Sequence, residues 1–469
     1  MSAVSLRDLL AERCDAIRAA SDEVPLDVAT GRLVDGVGVT LRGNATSSAR
    51  IAYSYLGVAD GPPLSRLDAL LTLAGAEPAR AAFGLGVAAG ANNWADTSLR
   101  SLAHPGAAVL PALLAAAAGR AVRWHELATA TAAGYEAMEV VGRALNDGVP
   151  RLSSQRAGFR SAALCGAFGA VGVLTVLDRL PTATSAAAFG IACDLVGGLT
   201  RQARGADSAI RMQAGSSVRA GFEAVALARA GVRSAPDVFE APDGFLRAHH
   251  ATATPPTDPR PGWHIRDAAQ KFHCAPHNFA TALDLVRVVA AGDQQALVEV
   301  RVPQEHLDLA RSSSAFPDTP AQAALNLRYC CARVLATRDF LWPDDIAAGL
   351  RDEATRARFD GVTIRGDEGL SARLENDREV WPAVVRVTSP DGRVVERSAD
   401  HPFGTTVDDR VAEAARSKFD RDAAAGGVRE PQRCREELAA AIADDAAVVD
   451  TLTGIIRRES RVVESRVAA

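Results

Sequence analysis

Residues 251–262 read Ala-Thr-Ala-Thr-Pro-Pro-Thr-Asp-Pro-Arg-Pro-Gly. Four prolines in so short a stretch remove backbone donors and fix φ, so neither helix nor central strand can pass through it. On either side the sequence has a different grain. Upstream, from about 45 to 245, alanine, leucine and glycine dominate, with helical apolar spacing such as Trp124, Leu127, Ala128, Tyr135 and Met138. The many small residues allow close helix–helix approach, which predicts a compact bundle. Residues 5–20 add an amphipathic helix, with Leu6, Leu9, Leu10 and Ile17 on one face and Ser5 and Asp8 spaced as a capping box.

Downstream the period changes. Val298, Val300 and Val302 alternate with Glu299 and Arg301, the pattern of a half-buried strand. Val362 and Ile364 flank Thr363 in a second. Val385 to Thr388 and Arg393 to Arg397 bracket a Pro390-Asp391-Gly392 turn. The strands are confined to about 296–398. From roughly 405 the chain reads as helical again, through Val411–Phe419 and Arg435–Arg457. The expectation is a mainly α protein: a large all-helical domain formed by both chain ends (1–262 and 401–469) with a smaller α+β lid domain (263–400) inserted.

Composition narrows the functional classes. The net charge of −5 carries no nucleic-acid footprint. The longest apolar stretch, Ala107 to Ala118, is too short to span a bilayer and contains Pro111. Arg7, Asp8 and Glu12 fall where an export signal needs an unbroken apolar core. Seven scattered cysteines, an odd number, read as reduced thiols, and a cytoplasmic location is expected. Of 52 basic residues only Lys271 and Lys418 are lysine. A guanidinium stays charged, whereas an ammonium can be shifted into the working pH range and act as a base. A retained lysine therefore invites a reason.

Three motifs are set aside. Gly84 to Gly90 approaches a dinucleotide fingerprint but has the wrong spacing and no preceding strand. No G-x-S-x-G elbow occurs. His273, Cys274 and His277 have Pro276 among them, and no HExxH or paired CxxC completes a ligand set, so neither metal nor cofactor is expected.

Four stretches carry the chemistry. The first is Asn92-Asn93-Trp94-Ala95-Asp96-Thr97, followed by His104-Pro105-Gly106 at the entrance of an apolar helix, which should set an imidazole beside free backbone N–H groups suited to anions. Asp96 has a plainer reading as a helix cap. The second is Gly158-Phe159-Arg160 leading into Cys165–Ala170. The third is the glycine-rich segment 205–221 with Arg211. The fourth is Lys271-Phe272-His273-Cys274 before a helix with Phe279, Leu283, Val286 and Ala290.

In this order, together with Leu325–Tyr329, His401-Pro402-Phe403-Gly404 and Ser417-Lys418-Phe419, these stretches resemble the MmgE/PrpD family, which includes 2-methylcitrate dehydratases and cis-aconitate decarboxylases. The resemblance runs from about residue 45 to the C-terminus. It implies a homodimer with a helical domain, a smaller α/β lid and an active site between them, acting on a small anionic metabolite. Three stretches depart from the family pattern: Asn93-Trp94-Ala95 lacks two of the three usual carboxylates, Arg160 replaces a histidine, and Arg211 replaces a lysine.

The roles implied are these. Arg160 and Arg211 clamp substrate carboxylates bidentately, with Asn93 as a further substrate contact. His104 donates a proton, Tyr329 is a second donor or positioning hydroxyl, and Asp96 and Thr97 orient them. Lys271 is the base, its neutral amine favoured where guanidiniums lie nearby. The expected activity is a metal-independent, dehydratase-like lyase on a di- or tricarboxylate, by proton abstraction alpha to a carboxylate. The substituted site leaves an isomerase or epimerase, or a non-catalytic carboxylate-binding relative, as alternatives.

Overall fold

The computed structural model describes residues 5–204, 209–289, 295–309, 315–405 and 408–467. The fold is mainly α with a small α+β part. The chain forms two compact units, one of residues 1–91, 95–268 and 412–469, the other of 92–94 and 269–411.

The first unit is helical. Helix α1 (Leu6–Ala19) starts where the Ser5 hydroxyl accepts the Asp8 N–H, and it buries Leu6, Leu9, Leu10 and Ile17 as the periodicity requires. It joins α2 (Leu26–Asn44), α3 (Pro78–Gly90), α4 (Gly106–Ala117), α5 (Trp124–Asn146), α6 (Ser161–Leu177) and α7 (Ala209–Arg229). Backbone meets backbone at several crossings. A Cβ at Gly172 would stand 2.6 Å from the Ala133 carbonyl oxygen, and one at Gly221 2.6 Å from that of Ala167. Gly86 on α3 lies against Gly215 on α7, so the rejected dinucleotide motif is a packing surface inside a buried helix.

Three of these helices run parallel. Along α6 and α7, Arg160 meets Gln213, Ala167 meets Ser217, and Gly221 meets Ala167 and Ala170, so paired positions rise together. Helix α4 follows the same direction: Ala108 packs beside Gly166 near its start, and Ala115 and Ala116 share a cavity wall with Leu174, Phe222 and Val225 near its end. Their amino ends are therefore grouped at one end of the helical unit.

The run expected at 435–457 is two helices, Pro431–Ala443 and Val448–Val467. Asp445 breaks it at φ +49°, and its carboxylate accepts the His125 N–H (2.8 Å) in the first turn of α5. A contact 320 residues away in sequence outweighs local helical propensity here.

The second unit holds a four-stranded sheet. Strand β1 (Leu297–Pro303) pairs parallel with β2 (Val362–Asp367) and antiparallel with β3 (Ala383–Thr388), which forms a hairpin with β4 (Val394–Ala399). Val298, Val300 and Val302 are buried, as the alternation predicts. Gly392 turns the hairpin at φ +82°, where an L side chain is strained. Among the described residues no helix is long and apolar enough to cross a membrane.

Candidate functional site

His104, Arg160 and Arg211 stand at or near the starts of α4, α6 and α7, the three parallel helices. Each helix start carries a partial positive charge from its aligned peptide dipoles. The helical unit thus gathers three dipole ends and three basic side chains on one side.

Before α4 the chain turns back on itself. Asp96 is buried, and its carboxylate accepts the Tyr135 hydroxyl (2.6 Å) and the Gly106 N–H (2.7 Å), with Arg32 Nε 3.7 Å away. A Cβ at Gly106 would meet the same carboxylate oxygen at 2.7 Å, which explains the glycine. Burial is the chief influence on Asp96 and raises its pKa, while Arg32 and the hydrogen bonds oppose that rise. Burial drives the Tyr135 hydroxyl upward as well, with the Asp96 charge adding to it.

This geometry corrects the expectation of free N–H groups at the α4 entrance. Asp96 takes Gly106 N–H, the His104 carbonyl takes Ala107 N–H (3.0 Å), and the Pro105 carbonyl takes Ala108 N–H (2.9 Å). The acceptor at this helix start is the protein's own Asp96 side chain. Asp96 is a cap, the plainer of its two readings.

Thr97 is fully buried, and its Oγ1 lies 2.7 Å from Nδ1 of the half-buried His104. With the hydroxyl donating, Nδ1 is the acceptor and Nε2 carries the proton; with roles reversed, Nε2 is the acceptor. Either way the bond fixes the ring plane and couples the tautomer to the Thr97 hydroxyl.

Arg160 is partly buried at the start of α6, and its Nη1 donates to Gln213 Oε1 (3.2 Å). Among the described residues no carboxylate pairs with it. Burial first, and the Arg211 charge second, push its pKa down to about 10. Two guanidiniums held near each other are the arrangement a multiply charged anion would relieve. Gly205 to Ser208, the opening of the glycine-rich segment, lie outside the described residues, as does Ala290.

In the second unit Lys271 is buried, and its Nζ donates to the carbonyls of Asn93 (2.5 Å) and Ala275 (2.8 Å). Asn93 takes part through its main chain, at φ +50°. Tyr329 is also buried, and its hydroxyl donates to the Ile346 carbonyl (2.7 Å), a tie that holds α8 (Leu327–Thr337) to the segment after it.

The three residues weighed as zinc ligands point to separate partners or to none. His273 Nδ1 accepts the Leu341 N–H (3.1 Å) and Nε2 lies 3.0 Å from Asp284, while Cys274 Sγ donates to the Asn92 carbonyl (2.8 Å). His277 is buried with neither ring nitrogen hydrogen-bonded, and burial drives its pKa well down, with Lys271, His273 and His306 adding to the effect. Among the described residues no three His, Cys, Asp or Glu side chains are grouped to hold a metal ion. All seven cysteines are buried and unbridged.

Sequence reasoning missed the partners of Asp96. Arg32, Asp35 and Tyr135 come from α2 and α5, and only their placement on helix faces with buried neighbours signals a role. It also left Lys418 without a purpose. Its ammonium is buried in an ion pair with Asp35, 4.0 Å from Asp422, and Asp422 also pairs with Arg42 Nε at 2.5 Å.

No curated protein matches the chain. Residues 9–257 match the MmgE/PrpD N-terminal domain and residues 281–444 the MmgE/PrpD C-terminal domain. The two matches succeed each other in the family's order and together take in most of the sequence, so the chain belongs to the MmgE/PrpD family, whose members are generally dehydratase- or lyase-type enzymes acting on carboxylates.

Proposed function

We propose that the chain is a dehydratase-like lyase for a small di- or tricarboxylate, with its substrate held at the end of the helical unit that carries His104, Arg160 and Arg211. The observation that carries this reading is the pair of neighbouring guanidiniums, with no described carboxylate on Arg160, at the positive ends of parallel helices. Abstraction of a proton from carbon beside a carboxylate builds negative charge on a group already charged. Fixed guanidiniums offset that charge and so lower the barrier, supplying what a metal ion supplies elsewhere. The leaving hydroxyl needs a proton, and Nε2 of the Thr97-held imidazole is the donor. The C–H electron pair becomes the new double bond, and the C–O bond breaks with loss of water. Lys271 is the proposed base on its chemistry alone, a buried amine in a chain whose default cation is arginine. A homodimer belongs to the same reading and is tested by sedimentation.

One observation favours a second reading. Arg160 stands where the family has a proton-transferring histidine, which suits an isomerase or a carboxylate-binding relative better than a housekeeping dehydratase. Incubation with a panel of hydroxy- and unsaturated carboxylates in D2O, followed by NMR, separates the readings. Olefinic products support the lyase, and deuterium exchange alone supports the isomerase. Saturable binding with neither supports the binding protein, and no binding of any member sinks the proposal.

A further inference from the structure

Glu139 on α5 is wholly buried, in the interior of the helical unit. Each of its two oxygens accepts a serine hydroxyl, Oε2 that of Ser98 (2.7 Å) and Oε1 that of Ser101 (3.0 Å). Arg143 Nε lies 3.6 Å from Oε2. Both serines are themselves wholly buried. A carboxyl group is costly at such depth, and an apolar side chain would pack there at less cost. What it holds is therefore informative.

It holds the turn that runs from Thr97 to His104. Within that turn the Ser101 N–H donates to Ser98 Oγ (3.3 Å) and the Ala103 N–H to Ser101 Oγ (3.1 Å). The two hydroxyls that reach Glu139 thus also receive the turn's own backbone donors. The Ser98 N–H donates to the Ala103 carbonyl (3.1 Å), which closes the turn. Ser98 follows Thr97 and Ala103 precedes His104, so this closure sets how the two side chains face each other.

Helix α5 supports the turn from one face, on which Glu139, Gly142 and Asn146 recur at helical spacing. Gly142 leaves the room, since a Cβ there would stand 2.5 Å from that of Ser101. Asn146 Nδ2 donates to the Ser101 carbonyl (3.1 Å).

We infer that Glu139 is a positioning residue which, through Ser98 and Ser101, sets the turn that brings Thr97 Oγ1 within 2.7 Å of His104 Nδ1. Each link is a covalent bond of the chain or a hydrogen bond. The bearing of this on catalysis rests on the proposed lyase function. The hold on the imidazole does not.

The test is the ring spectrum of His104 in the full-length protein labelled with nitrogen-15 histidine, assigned by its loss in His104→Gln. Thr97→Val deletes the hydroxyl and gives the ring signals of a released imidazole. Glu139→Ala leaves Thr97 in place and should move the His104 nitrogens by about half or more of that displacement. The double variant Glu139→Ala/Thr97→Val should coincide with Thr97→Val, because one contact can be lost only once. Damage reaching His104 by another route would add to the displacement. Ring signals unmoved in Glu139→Ala or in Thr97→Val, or moved further in the double variant, overturn the inference. Should Glu139→Ala fail to fold, Ser101→Ala takes its place, since it removes one of the two hydroxyls and leaves that of Ser98. The same displacement then supports the inference, and an unmoved ring overturns it. With an active substrate in hand, Glu139→Ala should lower kcat by about tenfold and change KM by less than about twofold. A changed KM with kcat intact would overturn the role. If no carboxylate is turned over, the lyase reading fails while the ring signals still confirm or refute the positioning.

Discussion

The hydroxyl of Thr97 stands 2.7 Å from Nδ1 of His104, from a position that is itself wholly buried. A flexible imidazole is a poor proton donor, because rotation carries Nε2 away from the leaving group. Thr97→Val keeps the side-chain volume and deletes the hydroxyl. Turnover should fall by about 10- to 100-fold, and Thr97→Ser should retain most of it. Steady-state rates of the two variants on the best member of the carboxylate panel give the answer. Equal rates for Val and wild type would remove His104 from the mechanism.

Arg160 carries the claim of anion binding. Arg160→Gln removes a charged donor and also the repulsion felt by Arg211, so the fold should keep its stability. Affinity for a dicarboxylate should drop by roughly 10- to 100-fold, the worth of a charge-assisted hydrogen-bond pair. Arg160→Lys should recover little of it, since a point charge does not replace a planar fork. Calorimetric titration measures both, and undiminished binding by the Gln variant would refute the clamp.

Lys271 separates a titratable amine from a mere cation. Lys271→Arg retains charge but not basicity, and it forces a larger group into a buried place, costing about 1–3 kcal/mol of stability. Turnover should fall by about 100-fold or more at a temperature where the variant is fully folded by circular dichroism. Full turnover would refute the need for an amine.

His277 predicts an acid limit for the second unit. Its folded-state pKa lies well below the ordinary imidazole value, chiefly through burial. Above the unfolded value both states are neutral and the group contributes nothing to pH dependence. As pH falls below about 6.5, only the unfolded chain takes up the proton, so stability is lost at up to about 1.4 kcal/mol per pH unit until the folded pKa is reached. His277→Gln should flatten this part of the profile. Urea denaturation at a series of pH values between about 7 and 5 checks it, and parallel profiles for the two proteins would assign the acid sensitivity elsewhere.

Much of the fold was legible because its signals are local. Ser5 and Asp8 marked a helix start, the alternation at 298–302 marked a strand, and Gly392 marked a turn. The division of roles at the motif 92–97 was less so. Nothing in Asn93 to Asp96 reveals that one residue gives its carbonyl to Lys271 while the other caps α4, because both partners are distant in sequence. The lysine count pointed to two special positions, and both ammonium groups are buried. It did not reveal that Lys418 answers a pair of aspartates, since Asp35 lies 383 residues away. Tyr329 carried from its motif an expected role as a second donor or positioning hydroxyl, and the motif did not reveal that its hydroxyl donates to the Ile346 carbonyl.

The glycine crossings of the bundle have an evolutionary corollary. Where one helix rests its main chain on another, as Gly172 does on Ala133 and Gly221 on Ala167, even a methyl group has no room. New specificity cannot arise by carving the interior, because any enlargement there pries the helices apart. Variation is channelled to the helix mouths, where Arg160 and Arg211 stand.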